Sequence, residues 1–312
     1  TYVFYIHVQL ISFVFCFILS FSVIWYLRKK PLSEESFDQP REDRKGYWLY
    51  ASQNWIANIL SVLFINVSLW ILRYYLSPRE VGWFSVAQRL PNILILLFLS
   101  PLSTPLLYFY TANSELQKRS RDIVQAIVLL SAIVSMLCFG VAGNSVWIVE
   151  HIFGAEFGES APVFMIYAHV PFLVAAHPFL QPLMFSQNRA HELNLLTVIQ
   201  IVVLVALSVW FVPQYGLVGA GVVVVTVYVL GNLLLAFWIR KTVPGLLSRV
   251  MGLYTLYLPF AILSVSSLWF VSVLGFPVAL LLTRILDLGF VKEVINRVRV
   301  QMSYKILVVE MK

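Results

Sequence analysis

Arg89 is the sharpest chemical signal in the sequence: a guanidinium about one turn inside the apolar stretch 84–111. An arginine there is costly against hydrocarbon, so it must snorkel to an interface, pair with an acid, or face a wet cavity able to hold an anion. Arg73, near the end of the apolar stretch 48–76, poses the same choice. Asn58 and Asn66 lie two turns apart on that stretch and share one helical face, with Gln53 and Asn54 towards its start. Such amides either meet hydroxyl groups of a ligand or hydrogen-bond between helices. His169 and His177 are eight residues apart in the stretch 161–186, with Gln181 one turn further on. Intramembrane histidines can pass protons; a neutral, satisfied histidine beside a kink is the plainer reading.

Other chemistry is missing. The sequence has no nucleophile elbow, phosphate-binding loop, paired intramembrane carboxylates or metal-ligand spacing. Cys16 and Cys138 both lie in apolar runs, without a CxxC or a histidine at ligand spacing, and read as buried thiols. No enzyme, metal or cofactor is expected.

The elements that position these residues are apolar throughout. The chain is 60% hydrophobic and 12% charged, against about 25% charge in an average soluble domain. A soluble core could not hide that much apolar surface, so lipid must cover much of it. The fold expected is all-α, a polytopic bundle of about nine spans: 2–27, 48–76, 84–111, 122–143, 161–186, 191–212, 216–239, 250–274 and 276–290. Pro171, Pro178 and Pro182 should break or kink the fifth span, and Pro91, Pro101 and Pro105 mark the third. "FVPQYGLVGAG" (211–221) reads as the turn of a membrane hairpin, with Gly216 able to supply positive φ.

With alternating loops, 19 of the 22 lysines and arginines fall on one side, leaving Arg73, Arg79 and Arg89 on the other. By the positive-inside rule the 28–47 loop and the C-terminus are cytoplasmic. That loop mixes six positive and five negative charges and should be solvated; the basic tail 291–312 opens with "VKEVINRVRV", which could lie as an amphipathic helix on the inner leaflet. The net charge of +7 therefore belongs to membrane topology, and no nucleic-acid partner is expected. Asp287 with Arg284 at i,i+3 suggests a local pair at the inner boundary. The sequence starts at Thr1 and is apolar from Tyr2 without a secretory signal, so an upstream start is expected.

Three stretches resemble one family. "YYLSPREVGWFSVAQRL" (74–90) looks like the helix-turn-helix signature of polysaccharide-exporting flippases, "IFGAEFGESAPVF" (152–164) like their phenylalanine-glycine re-entry, and "FVPQYGLVGAG" like their proline-x-tyrosine-glycine turn. The resemblance is to the O-antigen (Wzx-like) oligosaccharide transporters of the MATE-like superfamily. It implies two six-helix lobes around a central cavity, with 2–27 the last helix of the first lobe, 28–47 the inter-lobe loop, 48–240 the second lobe and 241–290 an appended pair. About five N-terminal helices of the family pattern are then not in this sequence.

The implied function is translocation of an undecaprenyl-diphosphate-linked oligosaccharide across the inner membrane, with other polysaccharide assembly proteins as further partners. Arg89 and Arg73 would attract the diphosphate; Asn58, Asn66 and Gln181 would meet sugar hydroxyls; His169 and His177 would form the relay, if there is one. A cation-coupled multidrug antiporter of the same fold is the alternative, weakened because 48–239 offers no acid deep in the bilayer. A membrane polysaccharide polymerase or ligase is less favoured: the longest outer loop, about 143–160, has no arginine.

Overall fold

The computed structural model describes residues 44–112, 120–266 and 269–296, and every regular element among them is helical. The bundle belongs to the unit that begins at Leu49. The expected span 2–27, the 28–43 part of the polar loop, Cys16 and the tail beyond residue 296 lie outside the described residues. The helices are α1 (Arg44–Tyr75), α2 (Pro78–Leu94), α3 (Ser100–Ala112), α4 (Ser120–Gly143), α5 (Ser145–Phe153), α6 (Ala161–Tyr167), α7 (Val170–Val174), α8 (His177–Ser186), α9 (Ala190–Ile239), α10 (Leu246–Ser264) and α11 (Trp269–Leu282). Among the described residues six helical stretches are long and apolar enough to cross a membrane, and the chain is a polytopic helical bundle.

α9 contains the turn expected at 211–221. Its 50 residues would run about 75 Å if straight, far more than a hydrocarbon core of about 30 Å. The helix instead reverses at Gly216 (φ 56°, ψ −136°), a backbone conformation natural to glycine alone. The two arms are antiparallel. A Cβ on Gly231 would run into the Gln200 side chain, and one on Gly219 would stand 2.7 Å from the Phe211 carbonyl. At the feet, Arg189 donates from Nη1 to the Thr242 hydroxyl (3.2 Å) and from Nη2 to the Trp238 carbonyl (3.4 Å), while Nε and Nη2 grip Glu192 at 2.7 Å.

Proline shapes the other irregular spans. α2 continues into α3 through one π-helical turn, Ile95–Leu99, with Pro91 before it and Pro101 after it. Pro101 has no N–H to return to the preceding turn, so the ladder must widen or break there. The 161–186 stretch is broken as expected, into α6, α7 and α8, with Pro162, Pro171 and Pro178 each in a first turn, where a missing N–H is harmless.

The last two helices differ from expectation. The spans 250–274 and 276–290 place the boundary at Gly275, whereas α10 ends at Ser264 and α11 runs from Trp269 to Leu282. Gly275 is a packing glycine: a Cβ there would stand 2.8 Å from the Phe260 ring of the facing helix. The expected Arg284–Asp287 pair does not form either. Arg284 sits in a left-handed turn (φ 55°), so i,i+3 geometry does not apply, and Asp287 pairs with Arg121 of α4 at 2.8 Å.

Aromatic side chains bind α10 and α11 into the bundle. Tyr257 stacks on Phe172 of α7 with ring centroids 3.6 Å apart and on Phe139 of α4 at 4.9 Å, and Phe276 meets Tyr257 edge-on at 5.4 Å. Phe139 and Phe276 are fully buried, as is Cys138, the residue before Phe139. Burial is uneven: half of the apolar window of α4 is buried, against 11% for α1 and for the α2–α3 rod. The latter two therefore present broad apolar faces to lipid or to a partner.

Candidate functional site

The three family-like stretches meet in space. The first opens with a capping box: Ser77 Oγ accepts from the Glu80 N–H at 3.4 Å, and the Ser77 N–H donates to the Glu80 carboxylate at 2.8 Å, with Pro78 at the first helical position. α2 thereby starts at Pro78, almost two turns earlier than the span boundary at 84. Trp83 donates its indole N–H to the Glu156 carbonyl of the second stretch (3.3 Å), and Arg79 covers the Trp83 ring at 4.9 Å. Gly154 (φ 106°) lets that second stretch leave α5 and turn back through Ala155–Ser160 into α6. The third stretch closes the seam: a Cβ on Gly221 would stand 3.0 Å from Val163 and 3.3 Å from Ile166. Small residues here allow backbone approach where lipid gives helices no hydrophobic reason to associate.

α5 lies beside this seam. Val146, Trp147 and Ile152 are exposed on it, and Trp147 stacks on His151 at 4.6 Å. A short helix with exposed aliphatics and tryptophan next to the polar Glu150–Glu159 turn suits a membrane interface.

Arg89 stands six residues beyond Trp83, about 9 Å deeper along α2. It is exposed, and among the described residues no ion pair or hydrogen bond engages its guanidinium. Ile93, Leu96 and Leu97 continue the same stripe and are exposed too. The neighbouring Gln88 points the other way, donating to the Tyr167 hydroxyl at 2.8 Å, while Phe84 meets the Tyr167 ring edge-on at 5.4 Å. Gln88 and Tyr167 thus fix the rotation of α2 and leave Arg89 facing out. Neither was singled out by sequence reasoning; the signal available was a polar residue adjacent to Arg89 in an apolar run.

The other candidates are spread over several elements. Asn58 is exposed on α1 among Trp55, Ile59 and Val62, and Arg73 is exposed in the last turn. Asn66 returns its amide to the Val62 carbonyl of its own helix at 2.8 Å. α1 is held to α9 by Asn194, whose amide donates to the Gln53 carbonyl at 3.0 Å, and by an edge contact of Phe64 with Tyr228. Gln181 is half-buried on α8, one turn from His177.

His169 and His177 have separate partners. His169 Nδ1 lies 2.7 Å from the Tyr257 hydroxyl, within the aromatic stack. His177 Nε2 lies 2.8 Å from Asn232 Oδ1, and Asn232 Nδ2 donates to the Leu173 carbonyl at 2.6 Å. A carbonyl only accepts, so the Asn232 amide nitrogen must face Leu173 and its oxygen must face His177. His177 is therefore the donor, with its proton on Nε2. Asn232 serves the break between α7 and α8, where helix carbonyls lose their usual partners. Tyr257 and Asn232 come from α10 and α9, so the broken span is fastened from both sides.

Over 226 residues, 71% of the chain, the sequence is 24% identical to the probable low-salt glycan biosynthesis flippase Agl15 of Haloferax volcanii. The match covers 47% of that protein, so the chain spans about half the length of the curated relative. No protein-family profile matches the chain, and no solved structure matches it.

Proposed function

We propose that residues 48–240 form one lobe of a MATE-like flippase that moves undecaprenyl-diphosphate-linked oligosaccharide across the inner membrane for polysaccharide or O-antigen export. The likeness to a glycan flippase over 226 residues carries this reading. The seam of three family-like stretches supports it, as does an unpaired arginine within a rod whose apolar window is only 11% buried. The arginine-rich end that holds Arg121, Arg249 and Arg284 is assigned to the cytoplasm.

In this reading the exposed faces of α1 and of the α2–α3 rod line the transport path. Arg89 offers a fork of donors to the diphosphate, and Ile93, Leu96 and Leu97 offer apolar contact to the prenyl chain. Asn58, and more weakly Asn66 and Gln181, meet sugar hydroxyls, with Arg73 near the outer exit. Transport is a change of binding sites without bond chemistry.

The test uses cells lacking their own repeat-unit flippase. The full-length protein restores surface polysaccharide, Arg89→Ala lowers it about tenfold at equal protein level, and Arg89→Lys keeps part of it. Normal export by Arg89→Ala removes Arg89 from the path. No restoration by the wild type with any of several repeat units contradicts the transport reading.

A further inference from the structure

A cavity of about 570 Å³ opens at the arginine-rich end, between the start of α4, the turn before α10 and the loop after α11. Arg121, Arg249 and Arg284 line it with Asp287, while Val124, Leu281, Leu286 and Leu288 form its apolar wall. The loop is built to a fixed shape. Gln125, buried on α4, clamps it at two points, donating to the Ile285 carbonyl (3.3 Å) and accepting from the Asp287 N–H (2.9 Å). Arg249 closes the end of α11 by donating from one nitrogen to the carbonyls of Arg284 (2.8 Å) and Ile285 (3.0 Å).

These contacts leave charge over. Asp287 balances Arg121 through one oxygen at 2.8 Å, whereas Arg249 spends only Nη1, and on neutral carbonyls. No ion pair or side-chain hydrogen bond among the described residues engages Arg284, which the clamped loop holds in a left-handed conformation (φ 55°) uncommon for an arginine. Two guanidinium groups without a counter-charge, at the level of helix ends and above a leucine-lined wall, match a phosphate with an acyl chain beneath it. Leu282 and Leu288 are exposed alongside and extend the apolar track outward.

We infer that this pocket binds the phosphate diester of an anionic phospholipid in the leaflet at the arginine-rich end. The site is distinct from the Arg89 face and stands whether or not the chain moves glycans. The lipid would add to the packing of α4, α10 and α11 a link at the end where Gln125 and Arg249 hold the loop.

The experiment is lipid retention by the full chain, purified and delipidated, then reconstituted in nanodiscs of phosphatidylcholine with or without phosphatidylglycerol. Native mass spectrometry is expected to show phosphatidylglycerol retained over phosphatidylcholine. Arg284→Gln and, separately, Arg121→Gln should reduce that retention about tenfold and severalfold, while Arg284→Lys restores most of it. Millimolar inorganic phosphate or diphosphate should not displace the lipid. Equal retention of the two lipids, unchanged retention by both glutamine variants, or displacement by the soluble anions would overturn the assignment. Arg284 supports no other side chain, so its variant keeps the fold; if Arg121→Gln alone loses retention and solubility together, the Arg284 pair decides.

Discussion

At the scale of single residues, glycine and arginine carry the most information. Gly216 was legible as a turn because Pro213 and three glycines interrupt a charge-free run, and its φ of 56° follows. Gly275 misleads for the opposite reason. It looks like a breaker beside Pro277, yet it sits inside α11 to admit the Phe260 ring, and only the packing partner reveals this. Replacing Gly216 with Ala forces a side chain into a backbone region closed to it, costing about 1–3 kcal/mol. Thermal unfolding of the purified variant in detergent should show a lower Tm, with the Pro213→Ala variant much less affected. Arg89 was visible as an anomaly, but its outward rotation depends on the Gln88–Tyr167 bond, a long-range contact that no local pattern encodes.

Helices and their breaks were read with uneven success. Long apolar runs gave α1, α4 and both arms of α9, because every spanning backbone must satisfy itself as helix. The prolines gave the breaks between α6, α7 and α8. The α10–α11 turn was missed because serine and valine at 264–266 signal reversal weakly beside the Gly275–Pro277 pair. Partners of the breaks were out of reach from sequence: Asn232 serves Leu173 and His177 across 59 and 55 residues. Asn232→Leu keeps the volume but leaves a buried carbonyl and an imidazole N–H without partners, each costing about 1–3 kcal/mol. Loss of stability in Asn232→Leu, measured by thermal unfolding, should exceed that of Asn194→Leu, because Asn194 bonds only the more exposed Gln53 carbonyl.

The loop after α11 has its own acid dependence. The Gly289 N–H and then the Arg121 guanidinium hold the Asp287 carboxyl below its ordinary range. A depressed folded pKa gives stabilisation that is complete above the unfolded value of about 3.9 and is lost as pH falls through the folded value. Hydrogen exchange at the Gly289 amide should therefore stay slow from neutral pH to about 4 and quicken only below it, after correction for intrinsic exchange. In Asp287→Asn the amide should exchange faster across the whole range.

For the molecule as a whole, composition alone placed it in lipid, and the burial pattern adds a direction. α4 and the broken span form the packed middle, while α1 and the α2–α3 rod keep large apolar faces outside. Those faces, marked by Arg89 and Asn58, are the surface through which the proposed transport works; a soluble bundle would have no use for them. The three motif stretches form a seam that joins α2, α6 and the second arm of α9, and Arg89, proposed to meet the substrate, stands beside it.

The decisive measurement is the accessibility of position 89 in intact membranes. Arg89→Cys in the full-length protein, with Cys16→Ser and the buried Cys138 left in place, should react with a membrane-impermeant maleimide and be protected by lipid-linked oligosaccharide. Val202→Cys, also exposed and midway along the first arm of α9, should not react. An unreactive Arg89→Cys, matching Val202→Cys in the same membranes, would mean that position 89 faces hydrocarbon and that no wet path runs along α2.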